Sequence, residues 1–502
     1  MKRTISVMFM LIFVVSMAFA SGEKEAPKEE KMIRIAEQVP GLITPGVWDG
    51  QAFSMNGSLY EYLVEMNPET GELEPLLATS WETEDGKTWK IMLREGVKFH
   101  DGSVFNAEDV KYTIERTQDP KIGHLKKKDF EVVSSVETPD DYTVIINLSE
   151  PRPTFIYQMT DYNMAILSSD YDYANLGESK PMGTGPFIMK QLMPKESALL
   201  VRNPTYWEAG LPVVDKLAIY FVSDIDASIS MLESDKVDVV PFITQNIKTR
   251  LEKNPKINVV TPYQEMRFIY MTTDMEPFDD NRVRQAFKYS MDPQTIARSV
   301  AQMNLNDGVY YNESPIMNIM AEFKDIPLRG RDTEKSKKLL ADAGYPNGVS
   351  VELYYASDHP FGKELAQTVQ ELAIDGGFDI TLKGYPRDVY LSQHWMNVPF
   401  AITAWAARPD PSVLLLLAFR GGGSWNESHI DNPEANKLID KIAAESDEAK
   451  RLGYYHELQE VFYDEGSIIN VQVPLLIAVS SDITNYRHPL TQIPQYKYMD
   501  IK

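Results

Sequence analysis

The chain alternates between two hydrophobic periods. Met32 to Ala36, Thr88 to Leu93, Tyr142 to Leu148, Phe187 to Lys190, Leu217 to Val222, Val237 to Val240 and Arg267 to Thr272 carry the short apolar runs or two-residue alternation of strands. Helical spacing appears over Ser54 to Val64, after the N-cap-like Asn106-Ala-Glu-Asp109, and over Ala227 to Leu232, Asp280 to Ser290 and Pro293 to Ala301. The second half becomes more regular. A helix is predicted over Thr333 to Ala343, a strand over Val349 to Tyr355, a helix over Gly362 to Ile374 and a strand over Asp379 to Gly384. Strand, helix, strand in that order predicts a parallel crossover. Phe400 to Trp405 is the next strand, Pro433 to Ala444 and Asp447 to Asp464 are helices, Ile468 to Val473 is a last strand, and the tail to Lys502 is loop-rich. No internal repeat is visible.

The loop after Phe400 to Trp405 draws attention first. Trp405, Arg408 and Asp410 put an indole, a cation and a carboxylate at the end of a buried strand, and Pro409 and Pro411 stiffen the backbone between them. Ligands of open α/β sheets sit beyond the carboxyl ends of strands, so these side chains are candidate binding residues. The bland alternative is a core aromatic beside a surface ion pair. Trp425, after the glycine-rich hinge at 421–423, is a candidate stacking surface or a core residue. Tyr270 on its apolar strand, and Gln51 and Ser54 after the first strand, complete the candidate set.

With 502 residues, 43% hydrophobic and 25% charged, the composition is that of an ordinary globular protein. Residues 1–20 read as a secretory signal peptide: Lys2 and Arg3, an apolar run from Val7 to Val15, and Ala18-Phe19-Ala20 before Ser21. That run, and the later Val413 to Phe419, are too short for a membrane span. Residues 21–31 read as a charged, flexible leader. The absence of cysteine rules out disulfides, thiolate metal ligands and the usual lipid attachment point, so the exported protein is expected to be soluble in a periplasm. A net charge of −23, more negative still once Lys2 and Arg3 are removed, argues against nucleic acid and anionic membranes as partners. The 7 histidines show no i, i+4 pair, and there is no G-x-S-x-G elbow or phosphate loop. No metal, cofactor or catalytic residue is predicted.

Four groups of motifs resemble family 5 extracellular solute-binding proteins. The first runs from Leu-Ala-Thr-Ser-Trp81 through Glu84-Asp-Gly-Lys-Thr-Trp89 and Leu93-Arg-Glu-Gly-Val-Lys-Phe-His-Asp-Gly102 to Asn106-Ala-Glu-Asp-Val110. Gly183-Thr-Gly-Pro-Phe187 with Arg202-Asn-Pro-Thr-Tyr-Trp207 is the second. Pro277-Phe-Asp-Asp-Asn-Arg-Val-Arg-Gln-Ala286 with Asp292 is the third, and Gly422-Gly-Ser-Trp-Asn426 with Asn432-Pro-Glu434 the fourth. They occur in family order over nearly the whole mature chain. The resemblance implies an α/β, two-lobed periplasmic-binding-protein fold with two crossing strands, near Tyr270 and Val473, and an extra α+β subdomain inserted in the first lobe. The expected boundaries are 32–66, 182–271 and 474–502 for the first lobe, 67–181 for the insertion and 272–473 for the second lobe.

It also implies a monomer that captures a small-molecule solute between closing lobes. The solute would pass to ABC permease subunits in the inner membrane, powered by cytoplasmic ATPases. In peptide-binding relatives a carboxylate three residues after the loop tryptophan holds the peptide's ammonium group. That position here is Arg408, which favours carboxylate or phosphate, so the resemblance points to an anionic, opine-like, amino-acid-conjugate or sugar-derived solute as well as to the family's default peptide. A secreted hydrolase such as a glycosidase, and a chemoreceptor-coupled sensor, stand as alternatives.

Overall fold

The structure, a computed structural model, describes residues 30–38, 46, 53–171, 173, 181–301, 305, 308–359, 361–408 and 410–502. The expected signal peptide, most of the leader and Gln51 lie outside these residues. Two large sheets carry two lobes, and a third sheet carries a satellite.

The first-lobe sheet has seven strands in the order Ile257–Val260, Ile477–Ser480, Val239–Val240, Met32–Glu37, Lys216–Phe221, Ser197–Arg202, Phe187–Met193. Met32–Glu37 runs parallel to Lys216–Phe221, with Ile35 opposite Ile219. The second-lobe sheet has six: Tyr310–Asn312, Ile468–Pro474, Gln264–Met271, Phe400–Trp405, Val349–Ala356, Phe378–Tyr385. The predicted crossover is present, with Val349–Ala356 parallel to Phe378–Tyr385 and helix Gly362–Ile374 between them. Ile468–Pro474 is buried along its whole length, and its alternating polar residues face protein instead of water: Asn470 Nδ2 donates to Ser314 O (3.0 Å) and Gln472 Oε1 accepts from Asn318 N–H (3.2 Å). The satellite sheet, Ala78–Glu82, Thr88–Leu93, Thr143–Leu148, Val133–Asp140, packs under helix Ala107–Gln118. Asn106 caps that helix: its side chain accepts from Glu108 N–H (2.8 Å), and Asp109 accepts from Asn106 N–H (2.9 Å).

The structure moves several boundaries. Gln264–Met271 belongs to the second sheet throughout, Tyr270 facing Ala401 and Ile468 across it. The outward crossing therefore falls at 261–263, before Tyr270, directly after Ile257–Val260. The return falls at 475–476, close to the expected Val473. The two passages run side by side, Leu475 N–H donating to Tyr263 O at 2.9 Å. Ile477–Ser480, within the tail read as loop, pairs with both Ile257–Val260 and Val239–Val240. The helix expected to reach Val64 stops at Leu59, because the Leu59 carbonyl accepts from Gly185 N–H (3.1 Å) instead of continuing the ladder. This contact also explains the Gly-Thr-Gly motif: a Cβ on Gly183 would lie 2.1 Å from Leu59 O.

The candidate solute site between the lobes

Phe400–Trp405 is held on both sides, antiparallel to Gln264–Met271 and parallel to Val349–Ala356, so it delivers Trp405 in a fixed pose. Trp405 is 6% exposed, and its indole N–H donates to Glu427 Oε2 at 3.1 Å. Trp395 donates to the other oxygen of Glu427. The Trp425 ring packs between them, its centroid 5.6 Å from that of Trp405 and 5.7 Å from that of Trp395. Burial raises the Glu427 carboxyl to about 7, against the opposing pull of its indole donors. The glycine turn ahead of Trp425 is fixed: Gly421 N–H donates to Asn436 Oδ1 (2.8 Å) and Trp425 N–H to Leu417 O (3.0 Å). Tyr270 is buried behind this cluster, its hydroxyl 3.4 Å from that of Tyr390.

Arg408 and Asp410 part company. Asp410 turns inward as the N-cap of helix Pro411–Leu414, accepting from Ser412 N–H (2.8 Å), from the Ser412 hydroxyl and from the Tyr455 hydroxyl (3.3 Å). Arg408 makes no ion pair with it. Arg408 is half-buried, with a buried Nε lacking a hydrogen-bond partner among the described residues. It lines a crevice with Tyr157, Gln158, Thr160, Asp161 and Tyr162 of the insertion, Ala407 and Val413 of the second lobe, and Thr491 of the tail. Lys126, buried and paired with Asp129, also lies 3.4 Å from Asp161. Burial opposes ionisation of Asp161, but Lys126 and Arg408 together hold its carboxyl below the usual range. The insertion and the second lobe touch across this seam through the Thr154 and Ser412 hydroxyls (3.0 Å) and the donation from Lys128 Nζ to Gly422 O (3.3 Å).

On the first lobe, Ser54 is buried. It donates to Glu37 Oε1 through its N–H (3.2 Å) and its hydroxyl (3.1 Å), and its oxygen accepts from the Tyr496 hydroxyl (2.9 Å). Burial raises Glu37 to about 8, although both Ser54 donors favour the carboxylate. A second crevice of about 50 Å³ adjoins the first at Thr160 and Thr491 and holds the buried Glu61, which accepts from Tyr206 (2.7 Å) and Trp207 (3.1 Å).

Sequence reasoning missed Glu37, Trp395 and Glu427. Glu37 had one signal, an acid closing an apolar strand at its carboxyl end; the other two become neighbours only through tertiary packing. Among the described residues no group of three or more His, Asp or Glu side chains is placed to hold a metal ion. No described helix is long and apolar enough to cross a membrane.

Residues 72–427 match the family model described as bacterial extracellular solute-binding proteins, family 5. Heme-binding protein A of Haemophilus influenzae is 26% identical over 496 residues, covering 90% of this chain and 88% of the relative. Glutathione-binding protein GsiB of Escherichia coli K12 is 26% identical, covering 84% of this chain and 85% of the relative. Among solved structures, AgaA from A. tumefaciens R10, in complex with agropinic acid, superposes with a TM-score of 0.83 at 23% identity. It covers 94% of this chain and 99% of its own. The Helicobacter pylori binding protein DppA, in complex with the peptide STSA, gives the same TM-score and identity over 94% and 98%. The two sheets, the satellite and the matched span agree: this chain belongs to the family 5 bacterial extracellular solute-binding proteins, the solute-capturing components of ABC importers.

Proposed function

We propose that this protein captures a small anionic solute outside the inner membrane, in a periplasm, and hands it to a cognate ABC permease pair driven by cytoplasmic ATPases. The observation that carries the ligand class is Arg408. A guanidinium with a buried Nε and no hydrogen-bond partner among the described residues sits on the seam between insertion and second lobe. In a water-poor crevice such a group is met by carboxylate or phosphate oxygens, which accept from its fork in pairs. Trp405 and Trp425 supply apolar walls on the same lobe, and closure of the lobes completes the contact. Relatives named for heme, glutathione, peptide and agropinic acid binding fit a scaffold whose solute is set by seam residues. The deciding experiment is mass spectrometry of the protein purified natively, followed by calorimetric titration of each co-purifying compound into refolded protein. A carboxylate- or phosphate-bearing compound that binds unaltered is expected. A bound solute without an anionic group would refute the assignment, and steady conversion of the compound would favour the hydrolase alternative.

A further inference from the structure

Away from the seam, the second lobe holds a tyrosine whose hydroxyl is placed to carry a negative charge. Tyr289 lies near the end of helix Asn281–Ser290 and is partly exposed. Its oxygen accepts from Lys335 Nζ (2.7 Å) and from Arg329 Nη1 (3.1 Å). Ammonium and guanidinium groups only donate, so neither can take the phenol's own proton. Among the described residues no other group accepts it. The same two cations lie over the ring, with Lys335 Nζ 4.0 Å and Arg329 Cζ 5.1 Å from its centroid. The donation from Lys335 foremost, and that from Arg329, hold the phenol below its ordinary range despite partial burial.

The fold fixes both partners. Arg329 is anchored by Nε against Glu313 (3.0 Å) and by Nη2, which donates to Tyr463 O (2.6 Å). Lys335 is the third residue of helix Thr333–Asp342, whose N-cap, Asp332, donates its N–H to the Tyr289 carbonyl (2.8 Å). Lys335 is exposed and, among the described residues, has no carboxylate partner, whereas Lys337 beside it pairs with Glu334 (3.1 Å). An amine and an activated phenol oxygen therefore stand in contact at the surface.

We propose that Tyr289 and Lys335 form an acyl-transfer pair: Tyr289 Oη takes an acyl group from an activated donor, an acyl phosphate or acyl imidazole, and passes it to Lys335 Nζ, which becomes a self-acylated site. In the first step the phenolate oxygen bonds to the acyl carbon, the bond from that carbon to the leaving group breaks, and the leaving group departs with a proton from the Lys335 ammonium. In the second, the freed amine attacks the aryl ester. The C–N bond forms, the C–O bond to Tyr289 breaks, and the proton shed by nitrogen returns to the phenol oxygen. Contact at 2.7 Å makes this second step intramolecular, which is the source of its rate advantage. Neither step involves the seam or its solute.

The test treats the full chain with N-acetylimidazole at neutral pH and follows the adducts by peptide mapping and mass spectrometry. Lys338, exposed on the same helix, is the internal reference. Acetyl should appear first on Tyr289 as a hydroxylamine-labile ester and then on Lys335 as a hydroxylamine-resistant amide, with Lys335 labelled roughly tenfold faster than Lys338. Tyr289→Phe, which keeps the ring and removes only the hydroxyl, should bring Lys335 down to the rate of Lys338. Lys335→Arg should leave the acetyl stranded on Tyr289. Should Tyr289→Phe fail to fold, the order of the two adducts in the wild type and the Lys335→Arg result decide. Lys335 labelled no faster than Lys338, or labelled in Tyr289→Phe as fast as in wild type, overturns the transfer. So does a wild-type ester that persists on Tyr289 beside an unmodified Lys335.

Discussion

Replacing Arg408 by alanine separates a solute contact from a structural one by the sign of two effects. Among the described residues the guanidinium has no ion pair, its Nε has no hydrogen-bond partner, and its charge opposes that of Lys126 while favouring Asp161. Those contributions oppose one another, so its loss should change unfolding free energy by less than about 1 kcal/mol. In the complex the same side chain supplies charge-assisted hydrogen bonds, worth about 1.5–3 kcal/mol, which is roughly a ten- to hundredfold loss of affinity. Urea unfolding of refolded protein gives the first quantity, and calorimetric titration with the co-purified compound gives the second. Arg408→Lys, which keeps the charge and loses the planar fork, should fall between wild type and alanine. An unchanged affinity with a stability loss above about 2 kcal/mol would assign Arg408 to holding Asp161 and refute the reasoning.

Three further outcomes follow from the packing. Glu313 neutralises both Lys288 (2.8 Å) and Arg329 (3.0 Å) in the second lobe, so Glu313→Ala should cost about 3–5 kcal/mol by leaving two buried cations unpaired, read as a fall in the urea midpoint. Glu427 is raised from 4.5 to about 7, so its contribution to stability is fully present below pH 4.5 and is lost as pH rises through 7. Relative to Glu427→Gln, the wild type should lose roughly 3 kcal/mol across that window, and parallel pH profiles of the two proteins would contradict the burial of an uncompensated carboxyl. Gly183→Ala places a Cβ against the Leu59 carbonyl and should destabilise by about 1–3 kcal/mol, measured as a lowered Tm with solute affinity retained once folded.

The local grammar of the chain was legible where one element settles it. Asn106 caps its helix, Phe400–Trp405 is a strand, and Pro293–Ala301 and Pro433–Ala444 begin and end at the expected residues. Asp410-Pro411 repeats the Asp-Pro and Asn-Pro pattern that opens those two helices, so its capping role was already written in the sequence. The short strand Ile477–Ser480 was hidden because its identity depends on partners more than two hundred residues away in the chain. The carboxyls of Glu37 and Glu427 were hidden because their burial is set by tertiary packing and not by local spacing. Their surroundings, Ser54 with Tyr496 and Trp395 with Trp405, come from segments that only the folded sheets bring together.

Both links between the lobes run side by side and are tied by Leu475 to Tyr263. A paired ribbon bends easily across its flat face and resists shear and torsion. Opening and shutting of the proposed cleft would thereby be confined to one swing, like a door on two pins. Tyr263 rides on the pin itself, and its ring, with its centroid 5.5 Å from that of His488, fastens the tail to that pivot.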